Sequence, residues 1–294
     1  MELFGVPLQA LLAQLFLGLV NGCFYALLSL GLAIIFGLLN VINLSHGALY
    51  MLGAFVTWMA FYYFGLSYWV MLLLAPLLIG AFGIFIERTT LRRLYRLDHL
   101  YGMLLMIGLA LALEGLFHSF YGVSGRSYSA PDALSGAMDI GFMVLPNYRA
   151  WVVAVSMVVC FATWFVIEKT RLGATLRAGT ENPKLVEAFG VNVPRMVTLT
   201  YGFGAALAGF AGVLAAPMVQ VSPLMGANLI VVVFAVVVIG GLSSILGAIL
   251  TGLGLGLIES AVGIFYPQLS ATVVFIVMAV VLMLRPVGLF GREK

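Results

Sequence analysis

Residues 168–195 read EKTRLGATLRAGTENPKLVEAFGVNVPR and lie between two long apolar runs. Nowhere else does the chain place so many charges between hydrophobic spans. Lys169, Arg171, Arg177, Lys184 and Arg195 stand there with Glu168, Glu181 and Glu187. The stretch also contains the punctuation of a short helix. Asn182 has a side chain that can cap, Pro183 suits the first helical position, and Gly190 suits the position just past the end. Between them Leu185, Val186 and Phe189 are expected to form an apolar ridge, with Lys184 and Glu187 beside it. Such an element reads either as a cytoplasmic knob gripped by a soluble partner or as an amphipathic helix lying on lipid headgroups.

The flanks decide what kind of protein carries this loop. The 294 residues are 63% hydrophobic and only 9% charged, with a mean hydropathy of +1.16. Apolar stretches of roughly twenty residues are membrane spans. The chain is therefore expected to be an all-α polytopic protein of the lipid bilayer, a single transmembrane domain over residues 1–294. A net charge of +3, scattered along the chain, does not suggest nucleic acid as a partner. Cys23 and Cys160 both sit inside apolar runs and are expected to pack as small hydrophobes, forming no disulfide or metal site. No cleavable signal is apparent, because the N-terminus lacks a basic flank and its apolar run is too long.

Leu8 to Leu39 is almost unbroken apolar sequence. About thirty helical residues would reach about 45 Å, against a hydrocarbon core of about 30 Å. This helix must tilt, or break near Asn21-Gly22. Further spans are expected to about Phe64 and over 67–86, 101–120, 150–167, 196–219, 245–261 and 270–284, with 228–240 short for a crossing. Basic residues set the orientation. The loops at 87–99 and 168–195 hold 4 and 5 Lys or Arg, and the tail adds Arg285, Arg292 and Lys294. The opposite side has Arg126 and Arg149 only. The basic side is the cytoplasm, and parity gives nine spans with the N-terminus outside, within a range of eight to ten.

Small residues at every fourth position mark the faces on which helices approach in lipid. Ser244, Ala248, Gly252, Gly256 and Ser260 form one such ridge. Gly204, Ala208, Gly212 and Ala216 form a second, and Gly18, Gly22 and Ala26 a shorter third. The GLGLG run at 252–256 belongs to this packing, since no strand or polar loop surrounds it. No Walker-type, HExxH or GxSxG motif occurs, so the chain is not expected to be an enzyme or to hydrolyse ATP itself. No catalytic residue is assigned.

Ionisable groups inside spans are costly and face a cavity or a partner. Glu114 and His118 share a helical face at i, i+4 and could pair, either on a substrate or proton pathway or as a packing device. Glu259 is read in the same way. The island around Asn40, Asn43, Ser45 and His46 combines uncharged polar groups with a break between spans. Broken helices at membrane depth expose backbone groups that can bind the charged ends of a small zwitterion, although a plain cytoplasmic turn would read similarly. Gly240, Gly241, Ser243 and Ser244 form a second break. These eight residues are the candidate substrate pathway.

At these residues the sequence resembles the LivH-type permeases of branched-chain amino acid ABC importers. Four stretches carry the resemblance: FGLLNVINLSHGALYMLGAF at 36–55; TRLGATLRA at 170–178 together with 182–192; VIGGLSSILGA at 238–248; and LRPVGLFG at 284–291. Together they cover nearly the whole chain. One departure is visible, Ser243 where the family pattern has glycine, which makes that turn less permissive. The resemblance implies an ABC importer permease with broken helices in the bacterial inner membrane. It implies three kinds of partner: a second related permease, two ATPase subunits that bind the ATP, and an external substrate-binding protein. This chain would need no cofactor. Glu181, Asn182, Leu185, Val186, Glu187, Phe189 and Gly190 would then be the coupling helix, with Leu185, Val186 and Phe189 entering an ATPase groove. Two other classes stay open on the residues alone. One is an ion-coupled carrier of small carboxylates using Glu114, His118 and Glu259. The other is an intramembrane enzyme, for which no paired acid, metal cluster or activated nucleophile is seen.

Overall fold

A computed structural model describes residues 2–3, 6–39, 43–95, 97–141 and 143–291. The chain is a helical bundle. In order, the helices are α1 (Leu8–Leu39), α2 (His46–Phe64), α3 (Tyr68–Ile86), α4 (His99–Tyr121), α5 (Asn147–Lys169), α6 (Arg171–Glu181), α7 (Pro183–Ala188), α8 (Val193–Ala215), α9 (Met225–Gly240), α10 (Ile245–Phe265) and α11 (Ser270–Leu284). Among the described residues, 8 helices are long and apolar enough to cross a membrane, and Met225–Gly240 is a shorter apolar one.

The first apolar run is one continuous helix of 32 residues, about 48 Å long, so it tilts rather than breaks. Asn21-Gly22 is not a hinge but part of a contact face. A Cβ on Gly22 would lie 2.9 Å from the Leu253 carbonyl oxygen, and one on Gly18 would lie 2.5 Å from Ser260 Cβ. Two of the ridges expected from sequence thus meet each other: Gly18, Gly22 and Ala26 of α1 lie against Gly252, Gly256 and Ser260 of α10. Lipid gives helices no hydrophobic reason to associate, so this backbone-to-backbone approach supplies the contact area. The third ridge makes α8 the hub. Gly204 faces Gly31 and Ile35 of α1, and Gly212 faces Tyr50 and Ala54 of α2.

The end of the bundle away from the basic loops is rich in aromatic residues, as membrane interfaces are. Trp58, Tyr62, Tyr63 and Tyr121 cluster at the end of α2, with the Arg126 guanidinium 5.7 Å over the Trp58 ring. The buried Tyr148 hydroxyl donates to the Leu214 carbonyl at 3.0 Å and lies 3.0 Å from the Tyr68 hydroxyl, tying the outer ends of α5, α8 and α3. The outer loop between α4 and α5 carries a short antiparallel hairpin, Ala137–Asp139 with Val144–Pro146. Burial pushes the Tyr128 hydroxyl of this loop up to about 12, with Tyr68 adding to the shift.

The two edges of the bundle differ from its centre. Most of α1 and α8 is covered by protein, whereas α4 and α11 are mostly uncovered. Glu114 and His118 sit on α4. They form no ion pair with each other, and His118 is exposed. They therefore do not make the intramembrane pair that their spacing allowed. The helix that carries them packs too little against the bundle to line a path through it.

Candidate functional site

The charged stretch 168–195 begins where α5 ends. Arg177 Nη1 donates to the Ile167 carbonyl at 2.6 Å and lies 3.6 Å from Glu168, so α6 is folded back against the foot of α5. Asn182 separates α6 from α7. Its Oδ1 accepts from the Leu185 amide at 3.1 Å, Pro183 opens the helix, and Gly190 follows it at φ +83°. Asn192 repeats the device for α8, accepting from the Arg195 amide at 3.0 Å. Two asparagine caps ten positions apart hold a one-and-a-half-turn helix proud of the bundle.

Nearly all of this tip is in solvent. Glu181, Asn182, Glu187 and Gly190 are exposed, Leu185 is 54% exposed and Phe189 is 80% exposed. Val186 is the correction. It is only 7% exposed and packs inward, so the ridge expected from sequence is narrower by one residue. Helical geometry explains this: positions 185 and 189 are i, i+4 and share a face, while 186 is turned about 100° from 185. Of the three ridge residues, Leu185 and Phe189 present apolar surface to water.

The first basic loop is joined to this element through a carboxylate that sequence reading passed over. After α3 the backbone widens into a π-helical turn, Glu87–Leu91. Glu87 is 1% exposed; it accepts from the Thr198 hydroxyl at 2.6 Å and from the Tyr95 hydroxyl at 3.2 Å. Thr198 is one turn past Pro194, at the start of α8. Burial, and then the Glu87 carboxylate, hold the Tyr95 hydroxyl above its ordinary range. A movement of the loop before α8 would therefore reach the end of α3. The signal available in sequence was an acid placed between a span and a run of arginines.

Asn43, Ser45 and His46 form a different kind of break. All three are fully buried, as are Tyr201 and Met106 beside them. Ser45 Oγ donates to Asn43 Oδ1 at 2.6 Å and lies 3.4 Å from Met106 Sδ. The Tyr201 hydroxyl lies 3.5 Å from the same sulfur. His46 Nε2 lies 3.0 Å from the Leu28 carbonyl of α1, which fixes it as the protonated ring nitrogen. Among the described residues the other ring nitrogen, Nδ1, has no partner within hydrogen-bond distance, and neither has Asn43 Nδ2. One idle donor and one idle acceptor are thus held in the interior, each at a cost of about 1–3 kcal/mol. Asn40 lies outside the described residues.

A second helix start meets this one. The chain leaves the outer loop, where Val221 exchanges backbone hydrogen bonds with Arg126, and descends to begin α9 at Met225. A Cβ on Gly47 would lie 2.5 Å from the Gly226 carbonyl oxygen. Gly47 is about 25 Å of helix from the outer end of α2. The starts of α2 and α9 therefore touch deep in the bundle. Both helices begin inside the protein, where non-helical backbone is tolerated because other protein surrounds it.

The other break is closed differently. Gly241 has φ +102°, a left-handed conformation that favours glycine. The turn needs its glycine at 241, so Ser243 is tolerated. Ser244 caps α10 by accepting from the Gly247 amide at 3.0 Å. The tail passes alongside, with Leu289 N donating to the Ile239 carbonyl at 2.8 Å and Phe290 N to that of Gly240 at 3.2 Å. Gly240, Gly241, Ser243 and Ser244 thus sit under a backbone clamp. The structure brings this break to the end of α1, Ser243 lying beside Gly37, and does not merge it with the Asn43–His46 cluster.

A family model described as branched-chain amino acid transport system / permease component matches residues 14–283. The chain belongs to this family. It is 31% identical to the high-affinity branched-chain amino acid transport system permease protein BraD of Pseudomonas aeruginosa, with 96% of each chain covered. It is 29% identical to LivH of Escherichia coli, again over 96% of each chain. LivM of Escherichia coli, a second permease of such a system, is 28% identical over 78% of this chain and 59% of its own length. Both the family and the apolar helices make this a multi-pass membrane transport protein, a permease subunit rather than a member of an enzyme family.

Proposed function

We propose that this chain is the transmembrane permease subunit of an ABC importer for branched-chain or related amino acids, in the inner membrane of a bacterium. Residues 1–294 act as one permease domain beside a second, related permease. Two ATPase subunits dock on the basic side and bind the ATP, and an external binding protein delivers the substrate. This chain itself carries no cofactor. The observation that supports the reading most is the capped α7, which holds Leu185 and Phe189 in water on the cytoplasmic side. Exposed apolar pairs on a rigid helix are what a groove in a soluble partner recognises. A helix lying on lipid would instead need an apolar face longer than α7 supplies.

In this reading ATP-driven closure of the ATPase pair pushes on α7. The push passes through Pro194 and Thr198 to α8, and through Glu87 to α3. Because α8 packs on α1, α2 and α3, its displacement changes the contact between the starts of α2 and α9. The polar groups of Asn43, Ser45 and His46 would then meet substrate. Their idle hydrogen-bonding atoms favour a role beyond packing.

The test is co-purification of the ATPases with the permease pair, followed by uptake in proteoliposomes. Replacing both Leu185 and Phe189 by Asp is expected to weaken ATPase association by about 30-fold or more, the size of an interface hot spot of at least 2 kcal/mol. Uptake should be lost in parallel. Undiminished association would overturn the assignment. The ion-coupled alternative predicts uptake by the chain without ATP, and the uncovered position of Glu114 and His118 gives it no support.

A further inference from the structure

The outer half of the bundle contains a cavity that none of the residues discussed so far explains. It has a volume of about 390 Å³ and lies between α1, α5, α10 and the turn before α11. This falls near the small end of ligand pockets, which span about 300–1,000 Å³. Two charges of opposite sign line it, Arg149 from the first turn of α5 and Glu259 from α10. Among the described residues neither has an ionic partner: Arg149 pairs with no acid and Glu259 with no base. Glu259 is held by one hydrogen bond, accepting from Tyr25 at 2.7 Å through one carboxylate oxygen.

A cation and an anion that line one cavity from different helices without neutralising each other call for a bound counterpart. Gln14 and Asn21 of α1 add uncharged donors and acceptors, while Leu17, Val20 and Met218 add an apolar wall. We infer that this cavity is an outer receiving site for a free zwitterionic amino acid with an aliphatic side chain. Arg149 takes the α-carboxylate, Glu259 takes the α-ammonium, and the apolar wall takes the side chain. The site also has an onward direction. Tyr25 lies one turn deeper on α1 than Asn21, and Leu28, whose carbonyl meets His46, lies about 10 Å deeper than Asn21. Substrate leaving the site inward would meet Tyr25 first and then the Asn43–His46 cluster.

The inference rests on the amino-acid reading given above, and two measurements separate them. The first uses the full chain in nanodiscs of phosphatidylglycerol, whose headgroup has no ammonium, and follows L-leucine by saturation-transfer NMR up to millimolar concentration. Leucine should bind, while 4-methylpentanoate, which lacks the ammonium, and isopentylamine, which lacks the carboxylate, should bind at least tenfold more weakly. E259Q and R149Q should each weaken leucine at least tenfold. In addition, E259Q should erase the preference for leucine over 4-methylpentanoate, and R149Q that over isopentylamine. A role confined to packing would not produce this crossed pattern. E114Q removes a carboxylate from the uncovered α4, outside this cavity, and should bind leucine within about twofold of the unaltered chain, serving as the control. Leucine binding that is absent, or unchanged in E259Q and R149Q, overturns the site. The second measurement is ATP-driven leucine uptake by the complete transporter. Binding with the crossed pattern but no uptake leaves the site standing and removes the importer reading.

Discussion

The tip at 182–190 and the cluster at 43–46 are both breaks between helices, and each carries side chains unsuited to its surroundings. At the tip, Leu185 and Phe189 stand in water, although the inner surface of the bundle could have covered them as it covers Val186. In the cluster, Asn43, Ser45 and His46 are fully buried, and two of their polar atoms have no partner among the described residues. Apolar groups in water and polar groups in an apolar interior are both unfavourable in isolation. In the proposed function each is met by something that arrives from outside: a protein groove at the tip and a polar solute at the cluster. The α8 helix joins the two, beginning next to the tip and carrying Tyr201 into the cluster.

The two breaks should respond in opposite ways to substitution. The largest effect is expected at Gly47. Leucine there would drive a side chain into the Gly226 backbone, which cannot move away cheaply, and should cost at least about 3 kcal/mol. Thermal unfolding in detergent should show little folded protein. A variant as stable as the parent would mean that α2 and α9 do not touch in the working molecule.

A smaller effect on stability, but a large one on transport, is expected for Asn43→Ala. Its Nδ2 makes no hydrogen bond among the described residues, so relief of that idle donor offsets the lost bond with Ser45 and the net change should stay within about 1 kcal/mol. Uptake should nevertheless fall at least tenfold, because the idle donor is removed. If stability collapses while the protein that still folds transports normally, Asn43 serves packing alone.

The smallest effect is expected at the tip. Asn182→Ala removes a cap worth about 1 kcal/mol to a helix that contributes little to the core. The unfolding temperature should barely move, while uptake should drop two- to threefold as α7 frays and presents Leu185 and Phe189 less firmly. A drop in unfolding temperature matching that of Gly47→Leu would show that the tip is part of the core.

Much of the architecture could be read from the sequence, because its determinants are local. Apolar length gave the spans, and every-fourth small residues gave the faces. The pairing of the Gly18–Ala26 ridge with the Gly252–Ser260 ridge was not readable, since periodicity marks a face but not its partner. The continuous course of α1 through Asn21-Gly22 was missed for a related reason: glycine there serves a close approach, not a hinge. Asn182, Pro183 and Gly190 could be read because capping chemistry is short-range. Glu87 with Thr198, and Arg149 with Glu259, are separated by about a hundred residues and become neighbours only in the folded bundle. Val186 was misjudged because an apolar triplet on a short helix does not say which member faces inward.

The most direct test of the importer account places a photo-crosslinking amino acid singly at positions 185, 186 and 189, in cells that also make the ATPase subunits. Crosslinks to an ATPase should form from 185 and 189 and be absent from 186. Crosslinks to lipid alone from all three positions, or to an ATPase from 186 but neither neighbour, would contradict it.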